Sequence, residues 1–520
     1  MIKKTISVGI LAAISVGLPA QSNTQNYIKT VTMLDANGSS KITGVDYYDG
    51  LGRLSEEVTD GLNTDGKCAY ILHEYDSGGR LSKTWLPGVD GTSPDYMEPS
   101  SVAALSQASN ANNQYPFTQT GYDVLDREIS VCGPGASWHC AGKKVTRGHI
   151  LNAAGSVRKY TASDGSDTPA QSGYYAEGAL DGESVTDEDG KAVTVFTDFF
   201  GRKILERRPG GVDTYFVYDL HGNLRFILSP MYQDDPDVEK YAYEYRYDKH
   251  LRRVYSRRPG CEPVCYWYDK YNRLAFMQDG PLRKAGKCRF FLYDNRYRIV
   301  IQGVCKNTPA DCMSAVVNYS GNGGICNSGY SYVSYYGGVE LVSPEMEVVN
   351  YYDRYNFFNG PLFHIYNNDW LRQMSVHSAQ NVGGLLTGSV TNSTDSVLLY
   401  NAFYYNRKGH PVDVRRSFPN GRMLFTRTAY TFTDKPRTVT YELRSADRVD
   451  SVKVSNVYSG VNDALLYTDI SYNGGESHRV SSFGYDLLGR PSSKTLPGNA
   501  GTVAYSYNVR GWLTGISGKG

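Results

Sequence analysis

The chain is 520 residues long and carries 54 Lys plus Arg against 53 Asp plus Glu, which excludes both a basic nucleic-acid footprint and an acidic tail. Such a length exceeds what one ordinary core supports, leaving either several domains or a quasi-one-dimensional stack of units. With 44 Tyr against 17 Phe and 5 Trp, the stack is favoured, because a ring with a polar tip suits many half-buried strand faces better than a dry core.

At the amino terminus, Lys3 and Lys4, an apolar run from Ile6 to Leu18, and Pro19-Ala20 before Gln21 read as a secretory signal peptide over 1–20, cleaved after Ala20. No later run reaches the ~18 apolar residues of a membrane-spanning helix, so the mature chain is expected to be exported, extracellular or at the cell surface. Residues 21–112 form an amino-terminal region with two early motif copies, ending in one short predicted helix over Ser100–Ser109 with Ser100 as its N-cap. Residues 113–304 carry the densest strand pattern. From 305 to 345 the composition turns to Gly, Ser and Asn, with Gly321-Asn322-Gly323-Gly324, and reads as a loop or insertion. Residues 346–520 repeat the pattern in degenerate form. There Tyr405-Asn406 replaces Asp by Asn, and Pro436 is expected to sit in a slot that it cannot occupy with a left-handed backbone. Clean text returns at Tyr485-Asp486 and Tyr507-Asn508, and the last hairpin stops shortly after Trp512, which predicts an unpaired edge in a sequence that in related proteins continues.

The pattern itself is densest between Tyr215 and Gly303, where Tyr-Asp recurs at Asp219, Asp248, Asp269 and Asp294 with spacings of 29, 21 and 25 residues, the range of a repeat architecture. Before each turn, tyrosines alternate with polar residues, as at Tyr243, Tyr245 and Tyr247, which is strand periodicity. Each unit is therefore a hairpin with a three-residue loop between Asp and Arg, and the fold class is all-β: a curved antiparallel sheet with at most one or two short helices. The residue before Arg needs a left-handed backbone. Gly52, Gly79, Gly201 and Gly489 supply it, Asp126 and Asn272 tolerate it, and Leu251 and Tyr297 are expected to distort their turns. The structural turn residues are the pairs Asp49 with Arg53, Asp76 with Arg80, Asp123 with Arg127, Asp198 with Arg202, Asp248 with Arg252, Asp269 with Arg273, Asp294 with Arg298 and Asp486 with Arg490. Such exposed pairs are worth about 0–1 kcal/mol each, so their expected role is fixing register.

These units resemble the YD repeats of bacterial RHS/YD-repeat proteins, whose motif is Tyr-Asp-x-x-Gly-Arg-Leu. The likeness extends to Tyr48-Asp49-Gly50-Leu51-Gly52-Arg53, to Gly133-Pro134-Gly135-Ala136-Ser137-Trp138, to Asp187-Glu188-Asp189-Gly190 and to Tyr507-Asn508-Val509-Arg510-Gly511-Trp512. The resemblance implies a hairpin sheet that spirals into a hollow shell around a carboxy-terminal toxin, freed by aspartyl self-cleavage near an Asp-Pro-x-Gly element. The only Asp-Pro here is Asp235-Pro236, without that frame, so what is implied is a polymorphic-toxin-like wall without its toxin. The expected function is a non-enzymatic exported carrier that encloses or displays a carboxy-terminal or separate cargo polypeptide. The alternatives are a cell-surface adhesin or glycan-binding module and, last, an exported hydrolase.

No nucleophile elbow, zinc-protease helix, dinucleotide fingerprint or calcium loop is present, so no catalytic residue, cofactor or metal ligand is assigned and no nucleic-acid partner is expected. The motif aspartates have a turn reason to exist. Nine cysteines leave one over if all others pair. Cys132 with Cys140, Cys261 with Cys265 and Cys305 with Cys312 are close in sequence, whereas Cys68, Cys288 and Cys326 have no local partner. Cys140 beside His139 is set aside as a nucleophile because strand neighbours point to opposite faces.

Overall fold

The structure, a computed structural model, describes residues 25–163, 165–307, 314–336, 340–365, 381–393, 397–498 and 500–518. The expected signal peptide and Cys312 lie outside the described residues. Of the described strands, 34 belong to one sheet, antiparallel apart from a single parallel contact between Tyr293 and Val316. The chain runs through it as a meander from Asn26–Met33 to Leu513–Ser517, most strands pairing with the one before and the one after, except where an excursion intervenes. No described helix is long and apolar enough to cross a membrane.

Every motif turn has one geometry. The Asp amide donates to the Arg carbonyl at 2.8–3.0 Å, and the left-handed residue's amide donates back to the Asp carbonyl at 2.8–3.2 Å. The register slips by one residue where each motif tyrosine meets its partner strand, as at Tyr47/Tyr48 and Tyr268, which is the bulge expected of a three-residue loop. Leu251 and Tyr297 do not distort their turns. They take φ of 60° and 63° and keep both turn hydrogen bonds, because the Asp and Arg around them over-determine the loop. Pro436 is not in the slot either. The turn runs from Thr431 to Lys435 with Asp434 left-handed at φ 66°, and Pro436 begins the next strand, where Pro411 and Pro491 also stand.

Alternation puts the motif tyrosines on one face and the most apolar side chains on the other. That second face is covered by excursions of the chain, giving three cores. The first joins Tyr47, Val58, Tyr70 and Leu72 to Trp85, Phe117 and Val102 of the helix Pro99–Ser109. A second gathers Leu205, Tyr215, Phe226 and Leu228 with Val157, Leu180 and Tyr232. The third sets Phe276, Phe290, Ile301, Val349 and Tyr400 against Val317, Tyr330, Phe357 and Phe363.

Of the two readings of 305–345, a loop or an insertion, the third core corrects the loop: the segment is an insertion with strands of its own. It contains a hairpin, Ser314–Tyr319 with Tyr330–Tyr336, whose connection holds the Gly321–Gly324 stretch and a short 3-10 turn at Ile325–Asn327. Val316, Val317 and the tyrosines supply strand propensity that the Gly and Asn content obscured. The predicted helix starts at Pro99, with Glu98 rather than Ser100 at its cap. Among the described residues, four further helices of four or five residues exceed the one or two expected, and Asp237 and Asp279 cap two of them. Ala136–His139 is one, with Cys140 at its end, so His139 and Cys140 do not lie on a strand, and His139 stacks on Tyr115 at 4.7 Å.

Replacing Leu251 with Gly relieves a left-handed Cβ at a half-exposed site, and the expected result is a gain of about 1 kcal/mol in chemical denaturation. Glu56 gives a pH test. Its carboxyl is 1% exposed, takes only the Met97 amide at 3.2 Å, and burial pushes it up to about 7 from 4.5. The folded chain thus holds the neutral acid: this contribution is complete below pH 4.5 and is lost as pH rises through about 7. Melting of the amino-terminal core should fall over that window, and Glu56→Gln should flatten the slope.

Candidate functional site

The sixteen predicted turn residues all stand along one edge of the sheet and repeat one constellation. In every pair, Asp Oδ1 accepts the amides of the residues two and four positions on, and Oδ2 accepts Arg Nε at 2.7–2.8 Å. These pairs are less exposed than expected. Asp269 and Arg273 are buried at 3% and 8%, and the Arg273 guanidinium also donates to the Ala315 carbonyl at 2.9 Å.

What the sequence did not reveal is that the arginine of one hairpin reads the hairpin that follows. Arg53 lies over the Tyr75 ring at 4.4 Å, Arg252 over Tyr268 at 5.0 Å, Arg273 over Tyr293 at 4.7 Å, Arg298 over Tyr352 at 4.3 Å and Arg490 over Tyr507 at 4.7 Å. The same tyrosine donates its hydroxyl to the carbonyl just after that arginine, as Tyr75 does to Leu54 at 2.8 Å and Tyr268 to Arg253 at 2.9 Å. Arginine also fixes the next turn's left-handed residue. Arg80 donates to Asp126 at 2.9 Å and Arg252 to Asn272 at 3.0 Å, which is why those slots hold Asp and Asn. In the degenerate half, Lys408 reaches Asp434 at 2.8 Å and Lys435 reaches Asp463 at 2.8 Å, so lysines keep the relay running. The Arg80 guanidinium holds the Asp76 carboxyl below its ordinary range, and Arg298 takes Asp353 down to about 2.

The opposite edge of the early sheet receives the turn edge of the late sheet. Asn63 donates to the Leu487 carbonyl at 3.1 Å, and Asn462 to that of Leu62 at 3.4 Å. Arg510 donates to the Pro134 carbonyl at 3.1 Å, meets Glu188 at 3.5 Å and lies 4.0 Å over Trp138, whose ring stands edge-on to Trp512. Three of these contacts join residues 376 to 424 apart, so the sheet completes a winding and docks on itself. Gly61 and Gly489 allow it: a Cβ on Gly489 would stand 2.4 Å from the Leu62 carbonyl oxygen. In the first winding the matching turn positions remain open, with Leu51, Val124, Phe199 and Leu220 at 78–96% exposure.

A cleft of about 540 Å³ opens on the turn edge, lined by Tyr160, Tyr175, Phe200, Phe216 and Tyr218 together with Lys159, Arg202 and His221. Cys132 and Cys140, and Cys261 and Cys265, which are close in sequence, are not joined. All eight described cysteines are free thiols, and Cys288 faces Cys305 instead.

A family described as a domain of unknown function, DUF6443, matches residues 20–151. No curated protein matches. Solved structures do match. The crystal structure of TcdB2-TccC3 aligns with a TM-score of 0.60 at 14% identity, covering 95% of this chain and 22% of that one. TcdB2-TccC3-TEV aligns at 0.58 and 14% over 98% of this chain and 22% of that one. A Photorhabdus luminescens Tc holotoxin pore aligns at 0.56 and 13% over 95% and 21%. This chain thus spans about a fifth of the length of those chains and has their RHS-like β-fold.

The relay predicts unequal costs for equivalent substitutions. Arg252→Met loses Asp248, the Tyr268 ring and Asn272 and should cost about 1–3 kcal/mol. Arg127→Met should cost about 0–1 kcal/mol, because Arg127 is half exposed and stacks on no described ring. Denaturation midpoints of the two variants check the order.

Proposed function

We propose that this chain is the non-enzymatic wall of an exported shell built from YD hairpins, which carries, encloses or displays a partner polypeptide as a toxin carrier does. The observation that carries this reading is the seam: a sheet whose late turn edge is laid on its early opposite edge is a wall wound around a space. The Arg–Tyr relay supports it, since it repeats from hairpin to hairpin along the sheet instead of forming a single reactive centre. The fold shared with a protein described as a Tc holotoxin pore supports a carried segment.

Two measurements test this. The secreted gene product, with whatever polypeptide accompanies the wall, should begin at Gln21 by amino-terminal sequencing and should shield one segment from protease. Arg510→Glu places a carboxylate against Glu188 and the Pro134 carbonyl, and should expose that segment to digestion about tenfold faster. Equal digestion rates in both proteins would remove the carrier reading.

The aromatic cleft favours a second reading, a glycan-binding module, because the exposed Phe200 ring and half-buried tyrosines beside Lys159, Arg202 and His221 suit sugar faces and hydroxyls. Saturable binding on a glycan array, abolished by Phe200→Ala and Tyr175→Ala, would establish it. Silence across the array leaves the wall.

A further inference from the structure

Cys288 and Cys305 occupy directly opposite positions in the hairpin formed by Cys288–Tyr293 and Ile299–Cys305. Residues facing each other in an antiparallel pair have Cα atoms about 4.5 or 5.5 Å apart, inside the range of about 4.4–6.8 Å that a disulfide spans. Their sulfurs are 3.4 Å apart, and both residues are buried, at 0% and 1% exposure, in the third core. No other two described cysteines are in sulfur contact. Both cysteines belong to the core that also holds Phe290, Ala315 and Met346, and the Cys288 thiol's other partner is the Asn307 carbonyl at 3.2 Å. From a buried apolar pair in register, only a small rotation separates two thiols from one bond.

We infer that Cys288 and Cys305 are the two halves of a cross-strand disulfide that closes when the chain folds in an oxidising compartment. The oxidant is a disulfide, carried by a small molecule or by a thiol–disulfide exchange protein. One cysteine thiolate attacks a donor sulfur and expels the first donor thiol, leaving a mixed disulfide. The second cysteine thiolate then attacks the protein sulfur of that mixed disulfide, forming the Sγ–Sγ bond and releasing the second donor thiol. The protein pair is oxidised by two electrons, the donor disulfide is reduced to two thiols, and the two cysteine protons end on those thiols. The two thiols share one hydrogen-bond contact, so ionising one of them makes ionising the other harder. Both cysteines are buried in the folded chain, so exchange belongs to folding and the finished bond is shielded from reductant. The bond would clamp the hairpin from which the whole 306–344 excursion leaves and to which the next strand, Glu345–Asp353, returns.

The test is refolding of the whole chain with oxidised and reduced glutathione, followed by alkylation under denaturing conditions and trypsin digestion. Cleavage after Lys287, Arg289, Arg298 and Lys306 should yield Cys288-Arg289 joined to Ile299–Lys306, two hydrogens lighter than the separate peptides and lost on reduction. The link should persist in Cys312→Ala. Reduction should raise the unfolding constant of the wild-type chain roughly a hundredfold and leave that of Cys288→Ala unchanged. Alkylation of both cysteines after refolding, or a link from Cys305 to Cys312 or any other cysteine, would overturn the assignment. Since refolding is done in vitro, this result stands apart from whether the chain is exported.

Discussion

The structure depends on a contact between hairpins rather than within them: the guanidinium of one turn lies on the tyrosine ring of the next. A β-hairpin alone is marginal in water, and 34 strands in one layer have no second sheet to cover them along most of their length. The Arg–Tyr stack, worth about 0.5–1 kcal/mol at a half-exposed site, and the tyrosine hydroxyl on the following carbonyl together tie each hairpin to its neighbour. Because the Asp carboxylate has already fixed the guanidinium through Nε, little further side-chain entropy is lost in forming the stack. Asp, Arg and Tyr are thus one device distributed over two repeats.

That division between local and distant contacts decides how much was legible in the sequence. Strands, turn length and the left-handed position followed from Tyr-Asp-x-x-Gly-Arg because they are local, and all eight turns obey them. The relay was not legible, since Tyr268 and Arg252 belong to different copies of the motif and only the sheet order brings them together. For the same reason Leu251 and Tyr297 were misjudged: propensity alone opposes φ near 60°, but Tyr297 sits where the Arg273 guanidinium and the Tyr271 ring reach it. Cys288 lacked a partner in sequence because its partner is across a strand pair, 17 residues away. The seam was equally hidden, its residues being hundreds of positions apart.

Closure sets a second constraint. Turn edges of one winding must fit the loops of another, which accounts for glycine at Gly61 and Gly489, where carbonyls approach too closely for a Cβ, and for a cation on two indoles at Arg510. The late sheet, from Pro436 onward, has almost no fully buried apolar side chain among the described residues. Its order therefore rests on the relay and the seam more than on a core, whereas the early and middle sheet add three covered faces to the same contacts.

The irregular spacing of the motif has a physical reason in the same geometry. Asp and Arg are always four residues apart because the guanidinium must reach a turn at a fixed distance along the edge. Nothing similar constrains the opposite edge, and most of the excursions, including 86–116, 229–241 and 306–344, leave from it without disturbing the row. Where an excursion leaves from the turn edge, the relay is interrupted. The 152–180 segment follows the Asp123 hairpin, and Arg127 is the one motif arginine with no described ring to lie on, its described bonds going to Asp123. Arg298 shows the contrary case. The 306–344 insertion leaves from the far edge, so Tyr352 and Asp353 still arrive beside it, across more than fifty residues of sequence, and close the link.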